Sequence, residues 1–221
     1  MKKITIFLFL FLSAIVYSQD FDKLANAVVD KDIDRLDSLL NAGIDINITE
    51  EDRGATVLLI ASSFKDYEDI VSHLISMGAD VNFRGKDGKT PLMWAAGNSF
   101  ETTKTLLENG ADVKAKGDDG MTAFIQSTFG ILSKKVSTEV MDLLLENGAD
   151  VNSALISKNA AGWTALHFAA INGDIELAEY LILQGVNVNH TSDEGSTALS
   201  LAKQEKYEAL VSLLKEHGAL D

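Results

Sequence analysis

Four histidines, His73, His167, His190 and His217, are the side chains in this 221-residue chain best suited to moving protons or ligating a metal near neutral pH. A helical metal site needs two such residues at a spacing like i, i+4, and acid–base catalysis needs a base beside a nucleophile or a second carboxyl group. The histidines are scattered over separate segments with no pair at that spacing. The run Gly117-Asp118-Asp119-Gly120 lacks the alternating oxygen ligands of a calcium loop. The glycines are spread along the chain, not gathered ahead of a helix as in a phosphate-binding loop. There is no cysteine, which removes disulfides, thiolate metal sites, a thiol nucleophile and a lipidated bacterial anchor. The sequence nominates no catalytic, metal-ligating or cofactor-binding residue, so the reading is of a non-enzyme without a cofactor.

The regularity lies in spacing. The stretch Gly162–Gly195 divides into a turn, a short helix, a longer helix and an exit loop. Thr164 is placed to cap the first helix. Ala169 and Ala170 allow close approach, and Asn172-Gly173 ends the helix. The second helix carries Ile175, Ala178, Leu181 and Ile182 on one stripe and stops at Gly185, a left-handed cap position. Two such helices cannot cover their own apolar faces, so copies must flank them. Turn glycines recur at Gly54, Gly88, Gly120, Gly162 and Gly195, in steps of 34, 32, 42 and 33 residues. Helix-ending glycines recur at Gly43, Gly78, Gly110, Gly148, Gly185 and Gly218.

The segments TPLMWAA from Thr90, TALHFAA from Thr164 and TALSLA from Thr197, with GADVN at Gly78 and Gly148, resemble the ankyrin-repeat family over residues 21–221. TVLLIAS from Thr56 and TAFIQST from Thr122 are weaker copies. The resemblance implies an all-α repeat solenoid of about six helix-turn-helix units with β-hairpin-like fingers. The units fall at 21–52, 53–86, 87–118, 119–160, 161–193 and 194–221. His167 holds the family's usual histidine position, where it orders the turn by hydrogen bonding. Asp87-Gly88 and Asp119-Gly120 are hairpin-turn dipeptides, and Pro91 sits at the first helical position, where its missing amide costs nothing. The fourth unit is irregular. It has five extra residues between Thr122 and Gly148, placed around Gly130–Ser137, and four between Gly148 and Gly162, which lengthen a finger at Ser153–Asn159.

Residues 1–18 read as a secretory signal peptide, with Lys2 and Lys3, an apolar-dominated run from Ile4 to Tyr17, and a cut after Ser18. That run is short of the roughly 20 residues of a membrane span, so no stable membrane insertion is expected after cleavage. The expected location is periplasmic or secreted in a bacterium, with residues 19–221 as the mature domain. The sequons at Asn47 and Asn189 would carry glycans only on a eukaryotic secretory route. Without residues 1–18 there are 17 basic and 33 acidic side chains, a formal charge of −16. Nucleic acid is excluded as a partner, because a phosphate backbone is held by clustered Lys and Arg.

What remains is a surface for a protein partner. The resemblance implies contact through finger tips and the first helices on a concave side. Carried over position by position, the candidates are Arg53, Phe64, Lys86, Lys89, Met121, Phe129, Trp163, Ile171 and Asn172. Met121 and Trp163 on neighbouring fingers, with Phe129 and Ile171, would form an apolar strip that anchors a partner. The alternatives are that Trp163 packs on its own finger and that the insertion buries Phe129. The leading reading is a monomeric, non-catalytic binding module. Its rivals are an accessory factor for an exported oxidoreductase and an immunity-type inhibitor of a basic toxin, the latter drawing on the negative charge.

Overall fold

The computed structural model describes residues 19–221, and the leader assigned to residues 1–18 lies outside them. Residues 19–29 form α1, which buries Phe21, Leu24, Ala27 and Val28 along one stripe. It is followed by α2 (Ile33–Asn41), α3 (Val57–Ala61), α4 (Glu68–Ser76), α5 (Pro91–Ala96) and α6 (Phe100–Glu108). The chain continues through α7 (Ala123–Leu132), α8 (Glu139–Glu146), α9 (Ala165–Asn172), α10 (Ile175–Leu183), α11 (Ala198–Gln204) and α12 (Glu208–Glu216). First helices stack on first helices and second on second, giving an inner row (α3, α5, α7, α9, α11) and an outer row (α4, α6, α8, and α10 with α12). One apolar core runs between the rows from Phe21 to Leu214. This is the all-α solenoid the repeats require.

The inner helices start at threonine. The hydroxyls of Thr56, Thr122 and Thr197 accept from the amides of Leu59, Ile125 and Ser200 at 3.3, 3.1 and 3.1 Å. In unit five the Thr164 hydroxyl lies 2.9 Å from His167 Nδ1, and the Thr164 N–H donates to that nitrogen at 3.2 Å. Met93 stands where His167 stands, and in that unit the buried Thr90 hydroxyl has no partner among the described residues. The outer helices end at the predicted glycines. Gly43, Gly78, Gly110, Gly148, Gly185 and Gly218 all lie at φ between +82° and +95°.

Two ladders tie neighbouring units together. At the finger tips, Lys86 N–H donates to Arg53 O, Asp118 N–H to Asp87 O, Ile156 N–H to Asp119 O and Asp193 N–H to Ala161 O, at 2.8–3.0 Å. Regular fingers use consecutive residues for the two bonds (Lys86 and Asp87, Asp118 and Asp119). The fourth finger uses Ile156 and Ala161, so its four extra residues lie between these points. At the base, the carboxamides of Asn47, Asn82 and Asn189 donate to Gly78 O, Gly110 O and Gly218 O at 3.3, 3.0 and 2.9 Å. The same Asn47 and Asn189 nitrogens are the ones a glycan would need, so in the folded chain both sequons are occupied by the stack itself.

The fingers depart from hairpin strands. Among the described residues none forms a regular strand; a single antiparallel bridge pairs Ala154 with Thr164. In the Asp-Gly pairs only the glycine is left-handed, at φ +72° for Gly88 and +80° for Gly120. Gly88 N–H returns to Gly85 O, and Gly85 N–H to Lys89 O. That is a three-residue loop with its glycine in the left-handed position, not a two-residue hairpin turn. The excess between the helices of unit four goes partly into α7, which has 10 residues against 8 in α9. The rest forms the turn at 133–138, where Lys135 Nζ reaches back to Asn98 Oδ1 at 3.1 Å.

Candidate protein-binding face

Each inner helix presents two positions to the finger side, the fourth and the seventh residue after its capping threonine. The fourth is Ile60, Trp94, Gln126, Phe168 and Leu201; all but Leu201 are partly exposed. The seventh is Ser63, Gly97, Phe129, Ile171 and Gln204. In α7, α9 and α11 these positions are three apart on the helix and so share a face, whereas Ser63 and Gly97 fall just past the ends of α3 and α5. Where units two and three meet the first finger, Leu59, Ile60, Ser63 and Trp94 line a hollow of about 490 Å³ whose rim includes Glu50, Asp52, Arg53 and Asp87. Its floor is apolar and its polar groups converge from two fingers, the composition expected of a ligand-accepting concavity.

The predicted residues fall into two groups. Arg53 lines the first hollow, and Lys86 and Lys89 stand on the finger beside its lining residues Gly85 and Asp87. Arg53 is exposed, Lys86 Nζ donates to Glu51 O, and Lys89 Nζ lies 3.4 Å from Asp87, 4.0 Å from Asp119 and 5.7 Å from the centre of the Trp94 ring. Met121, Phe129 and Trp163 belong to a second station in units four and five. Phe168 links them, meeting Phe129 edge-on at 4.7 Å between ring centres and Trp163 at 5.2 Å. Met121 is not part of an exposed strip. It is only 8% exposed, in a small cluster with Ile125 and Leu155, because the lengthened fourth finger folds Leu155 down over it. Phe129 and Phe168 remain half-buried at the edge of this cluster and Trp163, also half-buried, packs against the main core and the Phe168 ring, so the expected strip narrows to Phe129, Phe168 and Trp163. Outward on the same finger, Ile156 is 69% exposed.

Phe64, Ile171 and Asn172 lie apart from both groups. Phe64 is 41% exposed at the inter-helix turn of unit two, stacked on Tyr67 at 5.0 Å. Ile171 packs against the main core, and Asn172 is exposed with its amide donating to Phe168 O at 2.9 Å. Ile60, Trp94 and Phe168 escaped the sequence reading. Their signal was the fixed offset from the capping threonine.

His167 sits behind the second station. Its ring is buried, accepts from Thr164 at Nδ1, and lies with Nε2 3.1 Å from Ser196 O on the next finger. That arrangement fixes the neutral tautomer with its proton on Nε2. Burial holds its pKa below the ordinary histidine value; the Ser196 bond opposes this and neighbouring His190, 5.8 Å away, adds to it. Among the described residues no group of three His, Asp or Glu side chains is arranged to hold a metal, and no helix is long and apolar enough to cross a membrane.

Charge separates the two rows sharply. Helices α2, α4, α6, α8, α10 and α12 carry 13 acidic and three basic side chains, a net charge of −10. Helices α3, α5, α7, α9 and α11 carry a single charged side chain, Lys203. Of the net charge of −16 on residues 19–221, −10 therefore sits on the back of the stack, and the first hollow on the finger side is an apolar floor with a mixed-charge rim.

Comparison with known proteins agrees with this architecture. The family described as ankyrin repeats matches in three overlapping copies, at residues 24–117, 58–154 and 129–220. A human protein, SH3 and multiple ankyrin repeat domains protein 2, is 27% identical over 84% of this chain and 10% of its own length. The putative ankyrin repeat protein FPV031 of fowlpox virus is 32% identical over 72% of this chain and 47% of its own. This chain thus spans a tenth of the first relative and about half of the second. The putative ankyrin repeat protein YahD of Escherichia coli (strain K12) is 29% identical over 85% of this chain and 92% of its own length. Repeats of this kind generally mediate protein–protein interaction and are not themselves catalytic. With paired helices, left-handed glycine caps and the family pattern matched from residue 24 to residue 220, the chain belongs to the ankyrin repeat family.

Proposed function

We propose that this chain is an exported binding module that holds a partner protein against the face formed by its inner helices and fingers. The observation that carries the reading is the recurrence of partly exposed apolar side chains, Ile60, Trp94 and Phe168, at one register of three of the four inner helices α3, α5, α7 and α9, with the uncharged Gln126 at that register in α7 and no Asp, Glu, Lys or Arg in any of the four. A preformed row of this kind loses little conformational freedom on binding, so a few anchors suffice for useful affinity. The basic and apolar composition of residues 1–18 supports export to the periplasm or beyond. The partner is recovered by crosslinking and mass spectrometry in the native compartment, and its identity decides whether it is an exported oxidoreductase. Replacing Trp94 and Phe168 together with alanine is expected to weaken capture about thirtyfold or more, as for a buried aromatic anchor. Undiminished capture by a double variant of unchanged melting temperature would refute this face.

The charge on the outer row favours a second reading, an immunity-type inhibitor whose basic toxin docks on the back of the stack. Salt separates the two. Binding through the outer row weakens steeply between about 0.05 and 0.5 M salt, whereas binding through the apolar floor does not.

A further inference from the structure

At three of the junctions between units, one carboxamide bridges the stack in the same way. Asn47 donates to Gly78 O and accepts from Asp80 N–H at 2.8 Å; Asn82 donates to Gly110 O and accepts from Asp112 N–H at 2.7 Å; Asn189 donates to Gly218 O and accepts from Leu220 N–H at 2.8 Å. Each frame is therefore the carbonyl of a left-handed glycine plus the amide two residues later, and what fills it is a primary carboxamide. The equivalent frame between units three and four is Gly148 O and Asp150 N–H. The residue that should fill it is Lys114, which has no acceptor and cannot satisfy the amide. Among the described residues neither Gly148 O nor Asp150 N–H has a hydrogen-bond partner.

The open frame keeps the conformation of the filled ones. Gly148 lies at φ +92°, beside +95° for Gly78 and +85° for Gly110. Asp150 Oδ1 accepts from Asn152 N–H at 2.9 Å, as Asp80 does from Asn82 and Asp112 from Lys114. A cavity of about 350 Å³ opens at this place, lined by Lys114, Lys116, Thr122, Gly148, Asp150 and Ser153 among others. Ser153 Oγ donates to Asp150 O and the Thr122 hydroxyl accepts from Ile125 N–H, so the polar groups left for a ligand are the frame itself, the Thr122 O–H as a donor, and the lining residues Lys114 and Lys116.

We propose that this cavity binds a primary carboxamide, presented as an exposed Asn or Gln side chain of a partner polypeptide. The amide of the ligand takes the place Asn82 and its counterparts take elsewhere, donating to Gly148 O and accepting from Asp150 N–H. The site lies where the exit loops of units three and four meet the roots of their fingers, uses none of Ile60, Trp94 and Phe168, and does not depend on the reading of that row.

The test is a nuclear magnetic resonance titration of the ¹⁵N-labelled full chain with acetyl-Gly-Xaa-Gly-N-methylamide, a probe whose only primary carboxamide is at Xaa. With Xaa as Asn or Gln, the Gly148 and Asp150 amide resonances are expected to shift to saturation, and the tighter of the two shows which side-chain length the cavity takes. With Xaa as Ala the affinity is expected to fall about tenfold or more, the loss of two hydrogen bonds. Lys114→Asn closes the frame from within, so it should abolish the saturable shift and raise the melting temperature. Lys114→Ala leaves the frame open and should keep the preference for Asn or Gln over Ala. Equal shifts with all three peptides, shifts that survive Lys114→Asn, or no saturation with any peptide would each overturn the site.

Discussion

The junction between units two and three and the junction between units three and four are held at opposite edges. At the first, Asn82 supplies both base bonds, and His73, at 2.7 Å from Asp37, is a polar tie of the same outer row one junction earlier. At the second, the base frame is unfilled, and the inner helices come together instead. A side chain added at Gly130 of α7 would stand 2.6 Å from Gly97 O and 2.7 Å from Val136. Cohesion between repeats is thus transferable from loop to helix. A unit gripped from the inside can leave its base open without leaving the stack.

The largest test of that contrast is Gly130→Ala. The new methyl group meets a backbone carbonyl that cannot step aside, so α5 and α7 must separate, and the expected loss is about 2–4 kcal/mol in chemical denaturation. Gly110→Ala makes the counterpart at the other edge. The position is left-handed at φ +85° but has open space around it, so the expected loss is the backbone penalty alone, about 1–2 kcal/mol. Equal losses would show that the inner contact does not carry the third junction.

Asn82→Ala comes next. It strands Gly110 O and Asp112 N–H, but both residues are exposed, so water replaces much of the lost bonding and about 1 kcal/mol is expected. Lys114→Ala at the equivalent place should change stability by less than about 0.5 kcal/mol, since no bond is removed. Were the two variants equally destabilised, the base ladder would contribute nothing and the difference between the junctions would be one of sequence only.

Much of this is legible in the amino-acid sequence. Periodic glycines located every outer-helix end, because only a residue without a Cβ adopts the left-handed turn there at no steric cost. The apolar stripe of α10 was equally plain. The fourth unit was read less completely. Its excess residues were counted and placed, but a count does not say whether a longer finger projects or folds back. Leu155 settles that by a tertiary contact with Met121 that no local spacing encodes. The fourth position of the inner helices, unlike Phe129 and Ile171 at the seventh, is hard to read for a different reason. Trp94 and Phe168 sit at one offset from Thr90 and Thr164, but Gln126 occupies the offset between them and interrupts the apolar pattern.

The smallest expected effect concerns a third kind of junction, the one between units five and six, where a histidine does what asparagine does at the base. His167 is buried as the neutral ring, bonded to Thr164 on one side and Ser196 on the other. Its pKa in the folded chain lies below the ordinary value of about 6.5, first because burial penalises the cation. As pH falls, the unfolded chain therefore takes up this proton before the folded chain does, and acid favours unfolding. The contribution is complete above about pH 6.5, declines as pH drops from there toward the folded pKa, and falls no further below it. His167→Met, which copies the Met93 arrangement of unit three, removes this proton. The variant should be less stable at pH 7.5, where Thr164 loses its partner as Thr90 already has, and the gap to the parent chain should narrow by pH 5.5. A gap that stays constant across that range would mean that the histidine ties unit five to Ser196 equally well in either protonation state, beside the two Asn189 bonds of the same junction.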